Sequence, residues 1–191
     1  MATVNKEQLL QFLENRVEGH IQEAIKTFQN EQTEVLLQPA PDGGWSIAQC
    51  LEHLNGYGKF YLPQIKNGLE EASNPIHSEI FKGSWVGSYL TRMMEPTTGK
   101  KKYKAFKNHI PAPDLDAHAV VAEFIHQQEE LLNYLKQARR VDLDTIKLPL
   151  SITKLVKLKL GDVFQFLIAH NERHMQQAKR NVMKTFVAGN R

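Results

Sequence analysis

The sequence predicts an all-α protein, a bundle of four long helices. Three observations support that class. Four segments repeat apolar residues at helical spacing, residues suited to capping precede two of them, and no glycine- or proline-rich stretch divides the 191 residues. The length suits a single domain with a real core, spanning 1–191.

The first helix is expected from about Lys6 to Gln29. Leu9, Leu13, Val17, His20, Ala24 and Phe28 run along one stripe, and Leu10, Ile21 and Ile25 widen it. The second begins at the clearest boundary in the chain. Ser46 can cap the first turn, Gln49 completes a capping box, and Trp45 with Cys50 can form a hydrophobic staple. Cys50, Leu54, Tyr57 and Tyr61 continue one face, and Pro63 is expected to bend it.

The third helix runs from about Ala117 to Arg140, capped by Asp116. Val121, Phe124, Ile125, Leu131, Leu132 and Leu135 face inward, with Gln128 as the polar interruption. The fourth, about Leu160 to Thr185, puts Val163, Phe166, Leu167, His170, His174, Gln177 and Ala178 on one face. A stretch from Glu71 to Asp116 separates the second and third helices, long enough for a crossover along the bundle. Within it, Trp85, Tyr89 and Met93 repeat every four residues, as in a short helix that packs on the bundle or covers its mouth.

Composition narrows the chemistry. The formal charge of +3 gives no affinity for nucleic acid by itself. Lys100, Lys101, Lys102, Lys104 and Lys107 gather around Tyr103 and Phe106 with no nucleic-acid motif, so they read as a solvated loop, as do Lys154, Lys157 and Lys159. MATVNKEQLL lacks the pattern of a secretory signal, and no apolar run reaches the roughly 20 residues that cross a bilayer. The expectation is a cytoplasmic protein with no membrane partner. Cys50 is the sole cysteine, so a transition-metal site here relies on nitrogen and oxygen ligands.

The histidines carry the chemistry. An i,i+4 pair lies about 40° apart around a helix and about 6 Å apart along it, so His170 and His174 can reach one ion. His53 lies inside the apolar arc of the second helix, near its margin, and is the third candidate. His20, on its own apolar stripe, is a fourth ligand, a supporting group or a satisfied imidazole. His126 should face solvent, and His77, His109 and His118 belong to the crossover or its end. Glu172 points about 200° away from His170, unlike the glutamate of a zincin HExxH pair, and reads as a surface residue, solvated or paired with Lys or Arg. Asn171 reads as a rim residue with surface hydrogen bonds, and Gln128 as a ligand-orienting, substrate-binding or core amide.

WSIAQCLEHL together with LKLGDVFQFLIAHNERHMQQ resembles the DinB/YfiT-like superfamily, which includes bacterial thiol transferases such as the bacillithiol transferases. The resemblance implies one four-helix domain, commonly up-down-down-up with a long crossover between helices 2 and 3. It also implies a three-histidine metal centre formed by His53, His170 and His174. Lys159 stands where the family commonly has a capping threonine, and lysine cannot accept that hydrogen bond.

Three neutral imidazoles would leave a divalent transition metal, zinc or nickel, its positive charge. A coordinated thiol or water then ionises more readily. The resemblance implies transfer of a low-molecular-weight thiol to a small electrophile through a metal-bound thiolate. A hydrolase acting on a small-molecule substrate is the alternative, and a non-catalytic, metal-stabilised bundle the other. The resemblance also implies a homodimer, and Leu10, Ile21, Phe124 and Leu132 widen the apolar arcs that a second subunit can cover.

Overall fold

Short-range signals set where the helices begin. Strand β1 (Thr3–Asn5) leads into helix α1 (Lys6–Thr27), whose first turn is capped by Asn5 accepting from the Gln8 amide at 3.0 Å. A short helix α2 (Thr33–Leu37) drives Leu36 into the core. Helix α3 (Ile47–Glu70) starts at the expected capping box, with Gln49 N donating to Ser46 Oγ at 3.1 Å and Ser46 N to Gln49 Oε1 at 3.0 Å. It continues as one helix through Pro63.

The connection that follows carries strand β2 (Ile80–Lys82), antiparallel to β1, and helix α4 (Trp85–Met94). Helix α5 (Ala117–Ala138) opens with Asp116 accepting from the Ala119 amide at 3.1 Å. An antiparallel hairpin, β3 (Lys147–Leu150) and β4 (Thr153–Lys159), leads directly into helix α6 (Leu160–Gly189). The computed structural model describes residues 3–41, 43–72, 78–98, 105 and 109–189. The lysine cluster at 100–107 and His77 lie outside them.

The β3–β4 hairpin departs from the reading of Lys154, Lys157 and Lys159 as a loop, whereas α4 is the short helix expected from the spacing of Trp85, Tyr89 and Met93. The start of α6 has no capping side chain to call on. Instead its first amides donate to main-chain carbonyls, Leu160 N to Ile146 O at 2.9 Å and Gly161 N to Leu143 O at 3.4 Å, so the segment just before the hairpin substitutes for the missing threonine.

Helices α1 and α3 each pack against both α5 and α6, which places α1 opposite α3 and α5 opposite α6 in a four-helix bundle. Helix α4 lies outside, along α6, with Trp85 72% and Tyr89 56% exposed. It does not bring those rings to the histidines. Leu10 and Phe124 are buried within the chain, while Ile21, Ile125 and Leu132 are partly buried.

The apolar core falls into two clusters. One contains Leu13, Val17, Tyr61, Leu131 and Phe164, and the other Phe28, Leu51, Phe124, Met175 and Ala178. His20, His53, Gln127, Gln128, His170 and Asn171 are buried between them, contributed by all four bundle helices. Burial of so many polar groups is costly unless each finds a partner, and that requirement shapes the site.

Candidate metal centre

His53 on α3 meets His170 and His174 on α6, the three residues expected from sequence. One ligand atom from each lies within 4.8 Å of the other two. The Nε2 atoms of His53 and His170 are 3.2 Å apart, and the three ring centroids are separated by 4.7, 4.8 and 5.0 Å.

Hydrogen bonds set two of the tautomers. His53 Nδ1 donates to the His109 carbonyl at 2.7 Å, and His174 Nδ1 donates to Gln177 Oε1 at 3.0 Å. Each therefore carries no proton on Nε2, whose lone pair is available to accept or to ligate. His170 Nδ1 is buried without a hydrogen-bond partner among the described residues.

Burial holds the rings neutral. His53 is lowered to about 4 and His174 to about 3, with neighbouring imidazoles adding to desolvation. His170 falls well below its ordinary value for the same two reasons. These are ligands ready to bind at neutral pH. Two nitrogens that each sit about 2.0–2.1 Å from one tetrahedral ion are roughly 3.3 Å apart, close to the His53–His170 separation. The donor set, its protonation and its spacing therefore fit one divalent cation.

Aromatic rings wall the group. Trp45 lies 4.8 Å from His53 and stacks on His174 at 5.7 Å. Tyr57 meets His170 edge to face at 4.4 Å, and Phe166 stacks on His170 at 5.8 Å. His53 and His170 are buried, whereas His174 is half-buried.

Sequence reasoning missed two participants. Trp45 was assigned only to the staple; it packs on the Cys50 cluster and also covers two imidazoles. His109 contributes a main-chain carbonyl, which no residue type announces, and its ring sits 4.8 Å from Tyr57.

The turn His170–Asn171–Glu172–Arg173–His174 ties α6 to every helix around it. Successive residues rotate by about 100°. His170 and His174 face α3. Asn171 donates to Gln128 Oε1 on α5 at 2.8 Å. Glu172 Oε2 contacts His20 Nε2 on α1 at 2.8 Å, and Arg173 reaches the Met93 carbonyl on α4 at 3.4 Å. Asn171 is thus a correction to the rim assignment: it is 2% exposed, because its side of α6 faces the bundle centre.

Gln128 meets Asn171 rather than the histidines, which makes it a core amide beside the site. Glu172 pairs with buried His20 rather than with Lys or Arg. Its carboxyl is held at about 2, chiefly by that hydrogen bond and against a smaller desolvation penalty. His20 is therefore a partner of Glu172 and not a fourth member of the triad. His126 faces solvent as expected, with its side chain 65% exposed.

No curated protein matches the chain. Among solved structures it is similar to YfiT from Bacillus subtilis, described as a probable metal-dependent hydrolase with an unusual four-helix bundle topology. The TM-score is 0.54 and the identity 15%, over 94% of this chain and 87% of that one. At that identity the likeness speaks for the fold. The sequence profile of the DinB superfamily matches residues 16–178 and so takes in all three histidines, and the chain belongs to the DinB superfamily.

Proposed function

We propose that this protein is a metal-dependent enzyme that transfers a low-molecular-weight thiol to a small electrophile, with His53, His170 and His174 as the metal ligands. One observation carries the reading. The triad is made of three neutral imidazoles, of which His174 is half-buried, and no Asp or Glu joins it among the described residues.

A divalent zinc or nickel ion on such a triad supplies the positive charge that lowers the pKa of a coordinated thiol or water. A free thiol ionises near 8.5, so a modest shift suffices without a protein base. Hydrolysis ordinarily gains from a positioned general base, and the nearby Glu172 is engaged by His20 on the α1 side of α6. Trp45 and Tyr57 present apolar surface to an uncharged electrophile and exclude water from the rings beneath. The new carbon–sulfur bond forms as the bond from that carbon to its leaving group breaks, and the thiol proton passes to solvent.

Cys50 is not the nucleophile in this reading. It is buried, and burial pushes its thiol up to about 12. Gln128 acts through Asn171, holding the turn that carries the ligands.

The likeness to YfiT, with its hydrolase description, favours hydrolysis as the second reading. Both are tested by purifying the protein without added metal and measuring its metal content. The next step is to supply small thiols with chlorodinitrobenzene and, separately, a nitrophenyl ester. Thioether formation by wild type and Cys50→Ala, lost in His174→Ala together with the metal, is the expected result. Ester cleavage without thioether formation selects the hydrolase. Loss of chemistry in Cys50→Ala at unchanged folding and metal content, with His174→Ala active, overturns the metal reading.

We further propose a cytoplasmic homodimer, with partly buried Ile21 and Leu132 as apolar candidates for its interface. A mass near 21.9 kDa by light scattering at micromolar concentration overturns the dimer.

A further inference from the structure

The β3–β4 hairpin carries surface that neither the bundle nor the histidine site uses. Between Asp144 and Asp162 there is no acidic residue, yet Lys147, Lys154, Lys157 and Lys159 all fall there. The strand register places Lys147 opposite Lys159 and Pro149 opposite Lys157, so these positions share one face of the ribbon. Leu148 and Leu158 fill the other face and are buried.

Leu155 lies where the register shifts, between the pairs Leu150–Thr153 and Pro149–Lys157, and is 95% exposed. Ile152, at the turn, is 49% exposed and Val156 38%. Lysines alone would be explained as protection of a strand edge. Aliphatic side chains held out in water beside them serve no such purpose.

We infer that this hairpin docks on an anionic lipid surface. Its apolar tip enters the headgroup region while Lys147 and Lys157 pair with acidic headgroups. Charge complementarity selects that occupant. A second copy of the same face would set lysines against lysines, and a nucleic acid would meet the positive charge but gain nothing from burying Leu155 and Ile152. Among the described residues no helix is long and apolar enough to cross a membrane, so the contact is peripheral. Lys159 contributes less, because Asp144 Oδ1 holds its ammonium at 2.5 Å.

The test is sedimentation of the full chain with phosphatidylcholine vesicles, with and without phosphatidylserine, at low and high salt. Wild type sediments only with the phosphatidylserine vesicles and is released by salt. Removing one lysine charge, Lys157→Gln or Lys147→Gln, lowers partitioning about fivefold. Leu155→Ser lowers it about tenfold, while metal content and melting temperature stay at wild-type values. Failure to sediment with phosphatidylserine vesicles overturns the inference, as does sedimentation unaffected by these substitutions. Two further results overturn it in favour of other occupants. One is a single-stranded oligonucleotide that binds wild type and Leu155→Ser equally while vesicles do not bind. The other is a mass by light scattering that falls in Leu155→Ser.

Discussion

Replacing Gln177 by Met isolates one hydrogen bond of the candidate metal centre. Gln177 Oε1 accepts from His174 Nδ1 at 3.0 Å, three residues along the same helix, and so keeps the Nε2 lone pair directed at the triad. Methionine has nearly the same length, favours helix as glutamine does, and offers no oxygen. Without the acceptor, His174 can adopt either tautomer and rotate about its side-chain bonds. Loss of such a supporting contact costs roughly tenfold to hundredfold in metal affinity, or about 1.4 to 2.7 kcal/mol. The metal-free protein is expected to change much less. His174 is half-buried, water can replace the lost acceptor, and one net hydrogen bond is worth about 1 kcal/mol. In a chain of 191 residues that corresponds to roughly 2–4 °C in melting temperature. Competition for zinc against a chromophoric chelator measures the affinity, and circular dichroism melts of the metal-free protein measure the stability. Gln177→Glu restores an acceptor and should recover wild-type affinity or exceed it. An affinity of Gln177→Met indistinguishable from wild type would show that the contact does not orient a ligand. A fall in metal-free stability as large as the fall in affinity would assign it a merely structural role.

Acid should destabilise the metal-free protein in a defined window. Burial depresses His53 to about 4 and His174 to about 3, while the unfolded chain protonates near pH 6.5 and therefore binds more protons between these values. Stability present above pH ~6.5 is lost as pH falls toward 4, by roughly 3 kcal/mol for His53 alone, and a flat melting temperature across that window in calorimetry refutes the assignment. By the same depression, metal release on acidification should require pH of about 4 or below rather than near 6.5; half-release at the higher value would contradict it. Asn171→Ala leaves Gln128 Oε1 buried without its 2.8 Å donor, which should cost about 1–3 kcal/mol in chemical denaturation, and an unchanged midpoint counts against the buried bond. Gly87→Ala would place a Cβ 2.2 Å from Asp162 Cγ and push that carboxylate off the Ser84 amide it now accepts from at 3.1 and 3.2 Å. A loss of about 1–3 kcal/mol is expected, and a melt equal to wild type would show that α4 shifts freely on α6.

The parts of the fold read correctly from sequence are those governed by residues three or four apart. Ser46 and Gln49 specify the start of α3, and Asp116 that of α5, because a capping side chain reaches only its own first turn. The segment before α6 was unreadable by that rule. Lys159 cannot cap, and the carbonyls that replace the cap come from Leu143 and Ile146, beyond the hairpin. Trp85 and Tyr89 have helical spacing and do form a helix, yet spacing cannot say which neighbour covers it. Helix α4 lies along α6 and leaves both rings in water.

The candidate site divides the same way. Sequence alone determined that His53, His170 and His174 stand on inward faces and that the last two share one turn, since helical rotation follows from residue number. Only the tertiary structure decided what each remaining residue of that turn does, because a helix surrounded by neighbours offers a different partner every 100°. Asn171 and Glu172 look equally suited to a surface in sequence. One is buried against Gln128 at the bundle centre and the other is held by His20 on α1. The His109 carbonyl on His53 is further out of reach of sequence reading, since every residue has a carbonyl and only the folded path of the chain brings this one within 2.7 Å of an imidazole.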